Sequence, residues 1–446
     1  MNLRRTFLLA TAALLAVAAC SRDPGPAGET AASSRSTVAA AAPSLAVRAP
    51  RSGDPAIAKL RDAIEFGRLE EALALAEQAG LAAESGGTGG AEAPLLRARL
   101  AALQGQNIEA IRLVEVARNS RPADPDAYAT GAEIYASAGK LESAWDEIKA
   151  GDAACGKAPE LTRARGIAWI SRQGGGKKGL ELLEDARRAD PSLPFVSRAL
   201  GQAHLLLGKE SAAAGQAEPA LAHARAAASY DAADVDVARF LAEALAMGGD
   251  LEGALRETQR LVDRGLPLTG ELALLHKKAG MAALLARERQ RALEHFASAR
   301  RLGLTDEELG SGARILEEEI ETRVKSGVEA YGKDDLATAE ASFRGALALE
   351  PDRIEARNHL GVLLFRKGEF AGAAECWRSV IGTAEAEGLV LPEPVHVNLA
   401  KALALAKDLA GARETLEGYL VHHPDGEWVP ETRAALAALP AGKSGN

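Results

Sequence analysis

The sequence predicts an all-α fold, a superhelical solenoid of about ten stacked helix-turn-helix units, on three observations. The chain has 446 residues, enough for several domains or one long array. Its aromatic residues are few, eight Phe, five Tyr and four Trp, while 47% of the chain is apolar. Ala and Leu must therefore fill the core, and helices must approach closely. From about residue 54 the chain is also self-similar: Gly327-Val328-Glu329-Ala330-Tyr331 precedes Ala339, Phe343, Ala346 and Pro351. The next copy, Leu360-Gly361-Val362-Leu363-Leu364, precedes Gly368, Phe370, Ala373 and Trp377, with Gly327 and Gly361 34 residues apart.

Composition narrows the chemistry. There are 62 acidic and 53 basic residues, a net charge of −9, and no Lys/Arg-rich block, so nucleic acid is not an expected partner. Three cysteines exclude a disulfide framework and a four-cysteine zinc site.

In chain order, the N-terminus comes first. Arg4 and Arg5 precede an apolar stretch, Phe7 to Ala19, that is too short to span a bilayer and sits where an export signal would. It ends in Val17-Ala18-Ala19-Cys20, which resembles the lipobox of bacterial lipoproteins. That resemblance implies a signal peptide over 1–19, cleavage before Cys20 and acylation of Cys20 as a membrane anchor. Ser21, rather than Asp, follows the cysteine, which by the same resemblance implies the outer membrane, facing the periplasm. A plain secretory signal with an incidental cysteine is the alternative. Residues 20–53, rich in Ser, Ala, Pro, Thr and Gly, read as a flexible tether with a reach of roughly 30 Å.

The repeated segment resembles the tetratricopeptide repeat (TPR), a 34-residue helix-turn-helix with small residues at fixed places. The small residue at the family's twentieth position falls at Ala72, Ala110, Ala144, Gly179, Ala220, Ala254, Ala292, Ala339, Ala373 and Ala412. Successive steps are 34 residues or more, and the excess is expected in loops such as Ser85–Gly90 and Gly382–Leu389. Pro122, Pro191, Pro351 and Pro424 fall where one pair must give way to the next. Residues 54–304 are thus expected to hold repeats one to seven, and 320–426 repeats eight to ten. Between them, 305–319 is an irregular connection with a short helix ending at Glu317-Glu318-Glu319; residues 427–446 form a capping helix and tail. The stretch 205–219 is expected to add about seven residues between its two helices.

Catalytic and metal motifs are sought and not found. Gly174-Gly175-Gly176-Lys177-Lys178-Gly179 lacks the Lys-Ser/Thr ending of a P-loop, and its dinucleotide-like spacing lacks a preceding strand, so an inter-helix loop is expected. There is no His-Glu-x-x-His, no Gly-x-Ser-x-Gly and no Cys-x-x-Cys. His422-His423-Pro424 reads as a helix end rather than a metal handle. Cys155 and Cys376 lie several repeats apart, too far for a disulfide in a stack of nearest neighbours. Tyr128, Tyr135, Trp169, Phe343, Phe370 and Trp377 fall on packing positions.

One pattern remains. In TPR proteins the first helix of each pair lines a concave groove, and that register places Arg163, Arg198, Arg239 and Lys277 at or near one position in repeats four to seven. Such a ladder would hold acidic side chains or a C-terminal carboxylate, with Glu243 and Glu271 close enough to neutralise it instead. The Lys/Asn carboxylate clamp of chaperone-binding TPR proteins is not matched. The expected function is a lipid-anchored envelope scaffold for a protein partner, in a pilus, secretion, outer-membrane or polysaccharide-export complex. No enzyme activity, metal or cofactor is expected. The alternative is a binder of an anionic envelope polysaccharide through the same ladder.

Overall fold

Small residues at regular intervals let helices pack in pairs, and pairs are what the chain forms. In the computed structural model, residues 51–81, 92–391 and 395–439 are described; they hold 22 helices and no strand. The first pairs are α1 (Pro55–Glu65) with α2 (Leu69–Gln78), α3 (Ala93–Leu103) with α4 (Asn107–Ser120), and α5 (Pro125–Ser137) with α6 (Leu141–Cys155). Next come α7 (Pro159–Ile170) with α8 (Gly176–Ala189), and α9 (Ser197–Ala213) with α10 (Ala217–Tyr230). Then follow α11 (Val235–Met247) with α12 (Leu251–Asp263), and α13 (Thr269–Leu285) with α14 (Arg289–Arg301). After the short α15 (Asp306–Leu309) stand α16 (Ser311–Gly332) with α17 (Leu336–Leu349), and α18 (Ile354–Arg366) with α19 (Phe370–Glu387). The last pair is α20 (Val395–Leu405) with α21 (Leu409–His422), covered by α22 (Val429–Ala438). Ten pairs stack in order. The chain is an all-α, TPR-like solenoid.

The register is visible in every pair. Each of the ten small residues is the fourth residue of a second helix, and the nine alanines among them are 0% exposed. There the second helix crosses the first. Gly179 stands where the others have Ala because α7 and α8 touch: a Cβ there would lie 2.3 Å from Ile170 Cγ2. The scarce aromatic rings serve as knobs over glycines of the partner helix. Phe296 lies over Gly280, Phe343 over Gly327 and Trp377 over Gly361, so close that a Cβ on any of the three glycines would meet the ring within 3.0 Å. The buried Trp377 indole donates to Asn358 Oδ1 at 2.9 Å. Three first helices, α1, α5 and α11, open on aspartate caps, with Asp54 accepting from the Ala56 amide, Asp124 from Asp126, and Asp234 from Asp236 and Val237.

Several boundaries differ from expectation. Residues 205–213 do not form a loop but lengthen α9, and Gly382 lies inside α19, which runs to Glu387. The added residues, rich in Leu, Ala and Glu, are mostly good helix formers, so they extend helices instead of turns. Glu317-Glu318-Glu319 lies within α16, which runs unbroken into the eighth repeat, so the irregular piece shrinks to α15 and its flanks. Gly176 to Gly179 form the first turn of α8 rather than a loop. Residues 51–53 are not free tether: Arg51 and Ser52 bond to Ser192, Asp190 and Glu92. The expected signal peptide, Cys20, the expected tether to residue 50 and the loop expected over Ser85–Gly90 fall outside the described residues.

Candidate functional site

From α1 to α11, first helices touch one another from pair to pair and so form the inner face of the stack, and in the N-terminal half a turn of the chain packs against them. The turn between α8 and α9 reaches back to α1, about 130 residues earlier. Glu65, the last residue of α1, accepts from the backbone amides of Phe195 (3.0 Å), Ser197 (2.7 Å) and Arg198 (3.3 Å). A carboxylate from the first repeat thus caps α9, whose own flanking residue, Val196, carries no capping group. Phe195 is buried among Ile57, Leu60, Ile64 and Leu96 of the first two repeats. The Arg99 guanidinium lies 4.0 Å from the centre of its ring.

Behind this turn lies an ion-pair network. Arg163 on α7 is 0% exposed; it donates to Glu133 Oε1 (2.6 Å), Asp126 Oδ1 (2.8 Å) and the Pro194 carbonyl (2.9 Å). Arg99 on α3 donates to Glu133 Oε2 (2.5 Å) and Thr130 Oγ1 (2.9 Å). Burial raises the Asp126 pKa, but Arg163 and Arg99 outweigh it and hold the carboxyl below its ordinary value. Arg51 closes the edge, donating to the Ser192 carbonyl (2.8 Å) and Asp190 (3.0 Å).

The four cations expected to form one ladder therefore part company. Arg163 must be corrected: it is not a solvent-facing rung of a ladder but a buried ion, because Glu133, Asp126 and the Pro194 carbonyl take its donors. Arg198 is half-buried beside Gly67, with Nη1 3.5 Å from the Glu65 carbonyl. Lys277 bonds to the Glu308 carbonyl in α15. Only Arg239 stands exposed on a groove wall. Register alone predicts equal environments. The connecting segments, which differ from repeat to repeat, decide otherwise.

Arg239 opens onto a cleft of about 690 Å³ between α11 and α13. Here α13 packs on α12 and stands off from α11. The floor is apolar, with Phe240, Leu261 and Leu268 buried and Met247, Leu274 and Leu275 more open. Further along α13, Met281 and Leu285 are also exposed, so apolar side chains at 274, 281 and 285 line three turns. The rim carries Lys209, Arg239 and Lys278 against Asp236, Glu243 and Glu271. None of these six side chains makes an ion pair or hydrogen bond among the described residues, although ion pairs are frequent elsewhere. Glu243 and Glu271 thus do not neutralise Arg239 by contact.

Other candidates resolve as packing. His204 with His223, and His276 with His295, pair across two helices with Nδ1 atoms 3.1 Å apart. Burial, then the neighbouring imidazole, lowers the pKa of His204 and of His276. No group of three or more His, Cys, Asp or Glu among the described residues is placed to hold a metal ion. Cys155 is buried and Cys376 half-buried; both are free thiols. Phe195 and Glu65 are the residues that sequence reasoning missed, since no local pattern links positions so far apart.

No protein-family model and no curated protein matches the chain. Solved structures do match. A thermophilic TPR protein from Thermus thermophilus is 22% identical over 39% of this chain and 90% of its own, with a TM-score of 0.30. The C-terminal part of a TPR repeat-containing protein from Cytophaga hutchinsonii is 16% identical over 59% of this chain and 98% of its own, with a TM-score of 0.34. The TPR2AB domain of yeast Sti1, in its pHSP90 complex, is 16% identical over 54% and 98%, with a TM-score of 0.24.

Proposed function

We propose that this chain is a lipid-anchored scaffold of the bacterial cell envelope that grips a protein partner in the cleft between α11 and α13. The single observation that carries the binding role is that cleft: an apolar floor inside a rim of charges that have no partner among the described residues. Desolvated apolar area supplies affinity, and unpaired rim charges supply register and specificity. With three bases against three acids the rim suits a mixed-charge protein surface better than a polyanion, so the polysaccharide alternative gains nothing from it. The anchor rests on Arg4, Arg5, the apolar stretch to Ala19, and Cys20; Ser21 favours the outer membrane. The pathway served, whether pilus, secretion, outer-membrane or polysaccharide-export assembly, is left to the partner's identity.

Cross-linking with mass spectrometry in intact cells tests both parts. Leu274→Asp with Met247→Asp adds charge to two exposed positions on the cleft walls and should leave the fold intact. One envelope protein captured by wild type and lost in the double variant supports the cleft. The same neighbour captured equally by both rejects it. Separately, Cys20→Ala should move the protein from the membrane to the soluble fraction; retention on the membrane rejects the lipid anchor.

A further inference from the structure

The turn from Asp190 to Arg198 differs from the other described inter-repeat turns in one backbone feature. Phe195 has φ +62°, and it is the one aromatic residue with positive φ among the described residues. The other non-glycine cases, Arg287, Asp334 and Lys407, each lie two residues past a helix end, where a left-handed residue closes the helix. Phe195 instead precedes a helix. A bulky residue held in that region is strained and persists only where surrounding contacts impose it. Its neighbours Leu193 and Val196 belong to the core of their own repeats, whereas the Phe195 ring alone crosses into the core of the first two. The turn thus has two separable halves: one anchors it at home, the other is inserted elsewhere.

The surface that receives the ring has the attributes of a recognition site. Every group that grips the turn except Arg51 comes from a first helix and so from the concave side: Glu65 on α1, Arg99 on α3 and Arg163 on α7. These groups read a defined chemistry. Arg163 donates to a prolyl carbonyl, Arg99 covers the next aromatic ring, and Glu65 accepts from amides on and after that residue.

We propose that the concave face of the first four repeats is a binding site for a proline–aromatic turn of a partner protein, and that Pro194-Phe195 is its resident, competing occupant. It is independent of the cleft between α11 and α13. An occupant tethered in the same chain acts at an effective concentration in the millimolar range, so it keeps the site closed to weak ligands. A partner carrying a better version of the same turn displaces it, relieves the strain at Phe195 and opens the N-terminal superhelical turn.

The experiment uses the full chain and a labelled synthetic peptide of its own residues 189–199, followed by fluorescence anisotropy. Phe195→Ala removes the resident ring; Glu65→Gln weakens the grip without touching the apolar core. Phe195→Ala should bind the peptide at least tenfold more tightly than wild type, and a peptide with Ala in place of its Phe should not bind. For Glu65→Gln, amide exchange at residues 195–198 should quicken at least tenfold while α18 to α20 stay protected. Equal peptide binding by wild type and a folded Phe195→Ala variant, or none by that variant, overturns the proposal. So does loss of fold in both variants, which would make the turn a fixed part of the core.

Discussion

Arg163 and Arg239 occupy the same expected register and have opposite fates, which makes the pair a direct test. Replacing Arg163 by Met keeps much of the stem and removes three contacts, to Glu133, Asp126 and the Pro194 carbonyl. Glu133 and Asp126 then share Arg99 alone. Removing one partner of a buried ion pair costs about 3–5 kcal/mol, because the charge left behind keeps its desolvation penalty. Arg239→Met takes away an exposed charge with no partner among the described residues and should change stability by no more than about 0.5 kcal/mol. Because each repeat leans only on its neighbours, apart from the turn that reaches α1, the loss should be regional. Urea titrations read by circular dichroism should show an early transition for Arg163→Met, with α3, α5 and α7 losing amide-exchange protection first. In contrast, α18 to α20 should keep wild-type protection. Adding Glu133→Leu should restore part of the loss, since an apolar replacement removes the stranded charge. A loss below about 1 kcal/mol for Arg163→Met, or an equal loss for Arg239→Met, would refute the placement of Arg163 in a buried network.

Three further outcomes are expected. The Asp126 carboxyl is held below its ordinary value, so its stabilising contribution is complete above the unfolded value of about 4 and is lost as pH falls through the folded one; the urea midpoint of the N-terminal half should stay level from pH 7 to about 5 and drop below about 4, and a flat profile to pH 3 would contradict this. Burial first, then Asp124 and Glu160, push the Cys155 thiol up to about 11; peptide mapping after labelling at pH 8 should find Cys155 almost unmodified in the folded chain and fully modified in urea. A Cβ at Gly327 would lie 2.5 Å from Phe343 Cε1, whereas Gly332 in the same helix faces open space; Gly327→Val should cost about 1–3 kcal/mol and Gly332→Ala should be neutral or stabilising, measured by thermal unfolding.

Register is what the sequence by itself determined. Ala72 to Ala412 recur because each helix pair must meet at one close point, and that need is met within about 34 residues. Local chemistry of that kind is legible: small residues at the crossing points and aromatic residues on packing positions. The same reading put Arg239 and Arg163 side by side on one groove wall, whereas Arg163 is buried and Arg239 is exposed. What only the tertiary structure decided is how the pairs accumulate. Each step adds a small rotation, and four steps bring Glu65 to the amides of Phe195, Ser197 and Arg198. No pattern of residues encodes a sum of rotations, so neither the filled N-terminal face nor the buried Arg163 network could be read in advance. The cleft arises likewise, because α13 stands off from α11 after a connector that the register treats as ordinary spacing. Nearest-neighbour packing writes itself into sequence; the path of the superhelix is written only in space.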